Sequence, residues 1–111
     1  MKNNCRENGR VILAHGEVTG HCHEVVVVET GMPPDMAMAQ FFEEPDGRRM
    51  LMLLEPCVLR HDEHAPITLD PAHPVQARQG DVLLHPVGIG TWQVIRQREG
   101  YQPDQWRQVA D

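Results

Sequence analysis

Apolar residues in this 111-residue chain fall in short runs, and turn-forming residues stand between the runs. Residues 11–14 and 50–54 are such runs, and residues 25–28 are four consecutive valines. Runs of roughly four to eight residues suit β-strands and are too short to show a helical period. Turn signals recur about every 8 to 12 residues. The sequence therefore predicts an all-β protein, a small antiparallel barrel or sandwich of about eight short strands.

Two pairs of neighbouring runs are expected to form hairpins. Residues 16–20 include two glycines and join the run at 11–14 to a strand at 23–29. Pro45-Asp46-Gly47-Arg48 is a strong turn sequence, and it joins residues 35–44 to the run at 50–54. For 35–44 a strand is favoured, and a helix of about two turns is the alternative. Further strands are predicted at 57–61, 67–69, 81–85, 91–98 and 106–109, and residues 70–80 form the longest polar connection.

Length and composition favour one soluble domain that spans residues 1–111, with residues 1–9 frayed. No run approaches the roughly 18 apolar residues of a membrane span, and the N-terminal segment lacks the apolar stretch of a signal peptide. We therefore expect a cytoplasmic protein without membrane contact. The net charge of -6 opposes binding to nucleic acid. Three scattered cysteines indicate free thiols rather than a disulfide framework.

The first histidine pair, His21 and His23, has the spacing of two residues on one face of a strand. On that geometry both imidazoles can approach one ion, and Cys22 points away. Imidazole is the commonest side-chain metal ligand, so this pair is a candidate metal-binding arm. Two surface histidines beside a turn are the alternative explanation.

A second pair, His61 and His64, stands forty residues further on, in the sequence His-Asp-Glu-His. A three-residue spacing does not place both rings on one face of a flat strand, but a bend before Ala65-Pro66 could turn them inward. The second arm is thus either the two histidines or one of them with Glu63. A solvated, charged turn is the alternative.

Four imidazoles with an optional carboxylate suit a divalent transition metal, and Zn, Fe, Mn, Ni and Cu all remain open. If the site is catalytic, Glu63 or Glu29 is the candidate general base. Cys57 is a candidate soft ligand, although a small buried apolar residue is the favoured interpretation. The remaining histidines are expected to be structural or exposed, and they are His15, His73 and His85.

The histidine motifs resemble two families. His21-Cys22-His23 with Glu29 is similar to the first cupin motif, which implies a cupin-like or jelly-roll-like barrel and a metal held by histidines. Residues 16–23 and 61–67, with residues 94–99 near the end, resemble a family of small uncharacterised bacterial and phage-associated proteins. The second resemblance covers residues 10–67 and 92–111, and it implies no activity.

Three classes of function remain open at this stage. The first is a metal-binding accessory protein, in a phage or mobile-element setting, with the ion between the two histidine pairs. The second is a cupin-like metalloenzyme that acts on a small molecule. The third is a pH-responsive binding or assembly module without a metal. A homodimer or larger homo-oligomer is expected in each case, because a small sheet-rich domain has open edges.

Overall fold

The structure is a computed structural model, and it describes residues 3–16 and 20–97. These residues contain no helix, and they form ten strands that pair antiparallel. The strands are β1 (Asn3–Asn4), β2 (Val11–His15), β3 (Cys22–Val27), β4 (Ala39–Glu43), β5 (Arg49–Leu53), β6 (Cys57–His61), β7 (His64–Leu69), β8 (Ala77–Gln79), β9 (Val82–Gly88) and β10 (Thr91–Arg96). The predicted all-β class is confirmed.

The strands form two sheets that share one core. The larger sheet has the order β1-β4-β5-β10-β9-β8, and the smaller has the order β2-β3-β6-β7. Neither sheet closes on itself within the described residues, so the arrangement is a sandwich and not a closed barrel. Both sheets contribute to the buried core, which includes Val11, Leu13, Val25, Phe41, Leu51, Leu59, Leu84 and Trp92.

Both predicted hairpins are present. β2 pairs with β3, although residues 17–19 of the connection lie outside the described residues. β4 pairs with β5 across the predicted turn, where Gly47 adopts a φ of 92°. The ambiguous segment divides into a turn and a strand: the Asp35 carboxylate accepts a hydrogen bond from the Met38 N–H at 2.9 Å, and β4 begins at Ala39.

Part of the segment at residues 1–9, which the sequence predicts to be frayed, pairs with the larger sheet. β1 pairs with β4, and the Cys5 N–H donates to the Phe41 carbonyl at 2.8 Å. The Arg6 guanidinium also donates to the Ala39 carbonyl at 2.9 Å. The polar sequence does not predict this pairing, because backbone groups form most of it. The strand predicted at 106–109 lies outside the described residues, and the described residues include no helix long and apolar enough to cross a bilayer.

The β6–β7 hairpin has a tighter turn than the sequence suggests. Its turn is Asp62-Glu63, so His61 and His64 become a cross-strand pair. The turn thus falls before Ala65-Pro66, and Pro66 lies within β7, an edge strand, where a missing N–H is tolerated. The register shifts between Leu59 and His61, which interrupts the ladder beside the histidines.

Candidate metal centre

The four histidines of the two predicted pairs lie together at one edge of the sandwich. The ring centroids of His23 and His61 are 4.4 Å apart, and those of His61 and His64 are 4.6 Å apart. His21 lies 5.7 Å from His61, and His64 lies 5.8 Å from His23. Residues forty positions apart meet because β3 pairs with β6. Glu24 is opposite Arg60 in this pairing, and these two residues come one after His23 and one before His61.

The solvent exposure of the rings rises from His23, the inner ring of the cluster, to His64, an outer ring. His23 is 4% exposed and shares the core-facing side of β3 with Val25. The His21 side chain is 30% exposed, and His64 is exposed. A solvent-borne ion can therefore reach the outer rings, while the inner ring is fixed by packing.

Gln79 of β8 holds the inner ring of the cluster. Its carbonyl oxygen lies 2.8 Å from His23 Nδ1. Its amide nitrogen donates to the Leu59 carbonyl at 3.0 Å and to the Ala65 carbonyl at 2.9 Å, where the β6–β7 ladder is interrupted. Because both amide hydrogens are occupied, the Gln79 oxygen must accept, and His23 Nδ1 must carry the proton.

Asp81 lies at the other nitrogen of the His23 ring, opposite Gln79. Its Oδ1 lies 3.4 Å from His23 Nε2, and its Oδ2 accepts a 2.8 Å hydrogen bond from Arg96 Nε. Burial alone would raise the pKa of Asp81, but the hydrogen bond and charge of Arg96 outweigh burial and lower that pKa. Asp81 is therefore a carboxylate at neutral pH.

Gly80, between Gln79 and Asp81 in the sequence, lets the backbone of the larger sheet approach the rings. Its φ is +60°, and a Cβ at this position would lie 2.8 Å from His64 Nε2 and 3.3 Å from His23 Cε1. Real Cβ atoms do not approach so closely, so no other residue fits without displacing the rings. Sequence reasoning missed Gln79 and Asp81, and this glycine before an apolar run was the available signal.

His61 is held differently from His23. The Glu63 N–H donates to His61 Nδ1 at 3.0 Å, so the neutral His61 ring carries its proton on Nε2. Burial, followed by the neighbouring imidazoles, lowers the pKa of His61 and favours the neutral ring. The rings of the cluster pack against one another, and among the described residues no three metal-ligating side chains stand in position around an ion. Coordination therefore requires ring rotation.

Glu63 and Glu29, the two candidate general bases, lie in different parts of the structure. Glu63 Oε2 lies 3.6 Å from His21 Nδ1, and Asp62 Oδ2 lies 3.6 Å from His21 Nε2, so both carboxylates are at the rim of the cluster. Glu29 lies in the turn after the opposite end of β3. It is not part of this site, because the strand ends at Val27 and carries the chain away from the histidines.

The other candidate ligands lie outside the cluster. His15 Nε2 pairs with Glu7 at 2.8 Å, and His73 and His85 are exposed. Cys57 is fully buried in the core, as the sequence predicted for a small apolar residue, and all three cysteines are thiols.

Fold and site together define a small two-sheet β-protein with a histidine cluster at one edge. The chain belongs to the family described as Domain of unknown function (DUF8820), whose model matches residues 1–73, or 73 of the 111 residues. All four clustered histidines fall within the match, whereas Gln79 and Asp81 fall after it. The expected membership of an uncharacterised family is confirmed. No curated protein and no solved structure matches the chain.

Proposed function

We propose that this protein binds a divalent transition metal ion through His21, His23, His61 and His64. The observation that carries the proposal is the clustering of the four imidazoles, whose ring centroids lie 4.4 to 5.8 Å apart along the cluster. A metal needs three or four donors that converge from separate segments. Here the donors come from the start of β3 and from the two sides of the β6–β7 turn.

The protonation of the rings also supports metal binding. A ligand must offer an unprotonated nitrogen, and the lowered pKa of His61 favours the neutral ring. His23 is oriented by Gln79, which leaves Nε2 as its donor atom. A hydrogen bond to the other ring nitrogen of a metal-binding histidine fixes the orientation of the ring and its tautomer. His61 must exchange its hydrogen bond with Glu63 for the metal, which predicts a small rearrangement of the hairpin turn.

A nitrogen-rich site favours ions such as Zn(II), Cu(II), Fe(II) and Ni(II) over Mg(II) and Ca(II), which prefer oxygen ligands. Zn(II) is the natural first ion to test because it requires no redox control. Co(II) accepts the same ligands and reports coordination by its visible spectrum.

The experiment uses the full chain without a histidine tag, stripped with a chelator and titrated with Zn(II) by calorimetry. We expect a dissociation constant of about 10 µM or tighter, with a heat signal that magnesium does not give. His64→Ala removes an exposed ring, so the fold should survive while zinc affinity falls at least about tenfold.

His73→Ala and His85→Ala are the matched controls, because each removes an exposed histidine outside the cluster. Both should bind zinc as the wild type does. An unaltered zinc affinity in His64→Ala and His23→Ala, or an equal loss in the two controls, would contradict the proposal.

A second candidate function, the binding of a small molecule at the metal, is favoured by a groove beside the cluster. The groove has a volume of ≈ 290 Å³ and is lined by His21, His61, Arg10, Arg60 and Asp62, among others. Arg10 and Arg60 both pair with Glu24, and their remaining N–H groups suit a small carboxylate. Malonate should change the visible spectrum of the Co(II)-loaded protein, and Arg60→Gln should weaken that response. No spectral change with malonate would remove this candidate.

Assembly and location stay predictions of the sequence. β1 and β8 are at the edges of the larger sheet, and β2 and β7 are at the edges of the smaller one. Edge strands invite pairing between copies, so light scattering should find a homodimer or larger homo-oligomer. A monomer at high concentration would contradict this expectation.

A further inference from the structure

We propose that Asp81 is a direct ligand of the same metal ion, so that the ion ties the two sheets of the sandwich together. This inference rests on the proposed function. It adds a ligand from the larger sheet to a set of histidines that belongs to the smaller sheet. The juxtaposition of His23, His64 and the Gly80-Asp81 turn carries it.

The hydrogen bonds of Gln79 fix the position of the lone pair on His23. Gln79 donates both amide hydrogens to backbone carbonyls, so its oxygen accepts from His23 Nδ1 at 2.8 Å. A neutral His23 ring therefore has its lone pair on Nε2. That atom points at Asp81 Oδ1, 3.4 Å away.

His23 Nε2 and Asp81 Oδ1 lie close enough together to bind one ion. Arg96 Nε donates to Asp81 Oδ2 at 2.8 Å, so the other carboxylate oxygen, Oδ1, is the one that faces His23. A neutral ring nitrogen and a carboxylate oxygen are both acceptors, and two acceptors that face each other repel unless a cation or a proton lies between them. With bonds of roughly 2.0–2.2 Å to a tetrahedral ion, two ligands are about 3.3–3.6 Å apart, which includes the observed separation.

His64 is the neighbouring donor at the same turn. Gly80 brings the turn so close that an added Cβ would lie 2.8 Å from His64 Nε2 and 3.3 Å from His23 Cε1. The two rings and the carboxylate thus converge on one turn of the larger sheet. Asp81 also supplies a negative charge that neutral imidazoles cannot provide to a divalent ion. His21 and His61, on the other side of the cluster, complete a set of four or five donors.

A metal with ligands from both sheets should stabilise their packing, because binding free energy adds to folding free energy. We expect zinc to raise the melting temperature of the wild type and to raise that of Asp81→Asn by less than half as much. Zinc affinity should fall at least about tenfold in Asp81→Asn.

Two variants separate the loss of a ligand from the loss of an ion pair. Asp46→Asn is the matched control, because Asp46 also accepts from an arginine Nε at 2.8 Å but lies in the β4–β5 turn. Arg96→Gln removes the ion pair and leaves the Asp81 carboxylate in place. Both variants should bind zinc within about threefold of the wild type.

Asp81→Cys tests the contact even if Asp81→Asn folds poorly. A thiolate at position 81 that reaches Co(II) should produce a strong charge-transfer band that is absent from the wild type and from Asp46→Cys. No such band, together with wild-type zinc affinity in Asp81→Asn, would overturn the role of Asp81. That result would leave the histidine site intact if His64→Ala still weakens binding. A wild type that binds no metal would instead refute the proposed function itself.

Discussion

Gln79 and His23 form a buried side-chain hydrogen bond, 2.8 Å long, that joins the edge strand β8 of one sheet to the inner strand β3 of the other. Both residues are nearly inaccessible to solvent, at 3% and 4% exposure. The same Gln79 amide also binds the Leu59 and Ala65 carbonyls, where the β6–β7 ladder shifts register. One side chain therefore completes the hydrogen bonding of three strands and orients a candidate metal ligand.

Gln79→Leu should lower the free energy of unfolding by about 2–4 kcal/mol, because it leaves the buried Leu59 carbonyl, the partly buried Ala65 carbonyl and His23 Nδ1 without their partner. Urea unfolding measures this change. Gln40→Leu is the control, since Gln40 is exposed on β4 and its loss should cost no more than about 0.5 kcal/mol. Equal effects in the two variants would show that the Gln79 hydrogen bonds do not stabilise the sandwich.

Gly80→Ala should disturb the cluster because its Cβ would lie 2.8 Å from His64 Nε2. Gly31→Ala is a close match, since Gly31 has a φ of +67° against +60° for Gly80, and its Cβ would meet only Arg60 Nη1, at 3.9 Å. Both variants carry a similar backbone penalty, of about 1 kcal/mol. We expect a further loss of stability, and a loss of zinc affinity, in Gly80→Ala alone. The same urea midpoint and zinc affinity for both would contradict the close approach.

Two adjacent leucines provide a test of the core. Leu53 is 1% exposed and belongs to the core, whereas Leu54 is 68% exposed. Leu53→Ala should cost about 2–5 kcal/mol of unfolding free energy, because it removes buried methyl groups and leaves a cavity. Leu54→Ala should cost about 0.5 kcal/mol or less. A larger loss of stability in Leu54→Ala than in Leu53→Ala would contradict the assignment of Leu53 to the core.

The pair of Glu24 and Arg10 should make stability depend on acid pH. The Arg10 hydrogen bond, reinforced by the charges of Arg10 and Arg60, lowers the pKa of the buried Glu24 below 4.5. Between the folded and unfolded pKa values the unfolded chain binds more protons, so stability rises with pH there. The contribution is full above about pH 4.5 and is lost as the pH falls through the lower, folded value.

The measurement for Glu24 is urea unfolding of the wild type and of Glu24→Gln from pH 7 to pH 3. The difference between the two proteins should shrink as the pH falls below 4.5. Glu55→Gln, at an exposed position, should follow the wild type throughout. A difference that stays constant with pH would show that the charge of Glu24 is not what stabilises the fold.

Cys57 should be unreactive in the folded protein. Burial, and then the nearby charges of Glu55 and Glu29, raise the pKa of its thiol to about 11. Because the thiolate is the nucleophile, iodoacetamide at pH 8 should label Cys5 and Cys22, which are partly exposed, and spare Cys57 until urea unfolds the chain. Mass spectrometry of the labelled peptides checks this order, and early labelling of Cys57 would contradict the packing of β6.

Sequence reasoning predicted the histidine pairs because they depend on local rules. The spacing of His21 and His23 suits one side of an extended segment, and a bend was expected to turn His61 and His64 inward. Antiparallel pairing of β3 and β6 then brings the pairs together. Their role as metal ligands stays a prediction.

The sequence by itself determined the all-β class and both early hairpins, because short apolar runs and turn residues act within a few neighbouring positions. Tertiary structure alone decided that Gln79 and Asp81 flank His23, since 56 positions separate Gln79 from that ring. Such a contact depends on how two sheets pack against each other, and no pattern along one strand encodes it. The pairing of β1 with β4 has the same origin, because its partners are backbone groups that every sequence possesses.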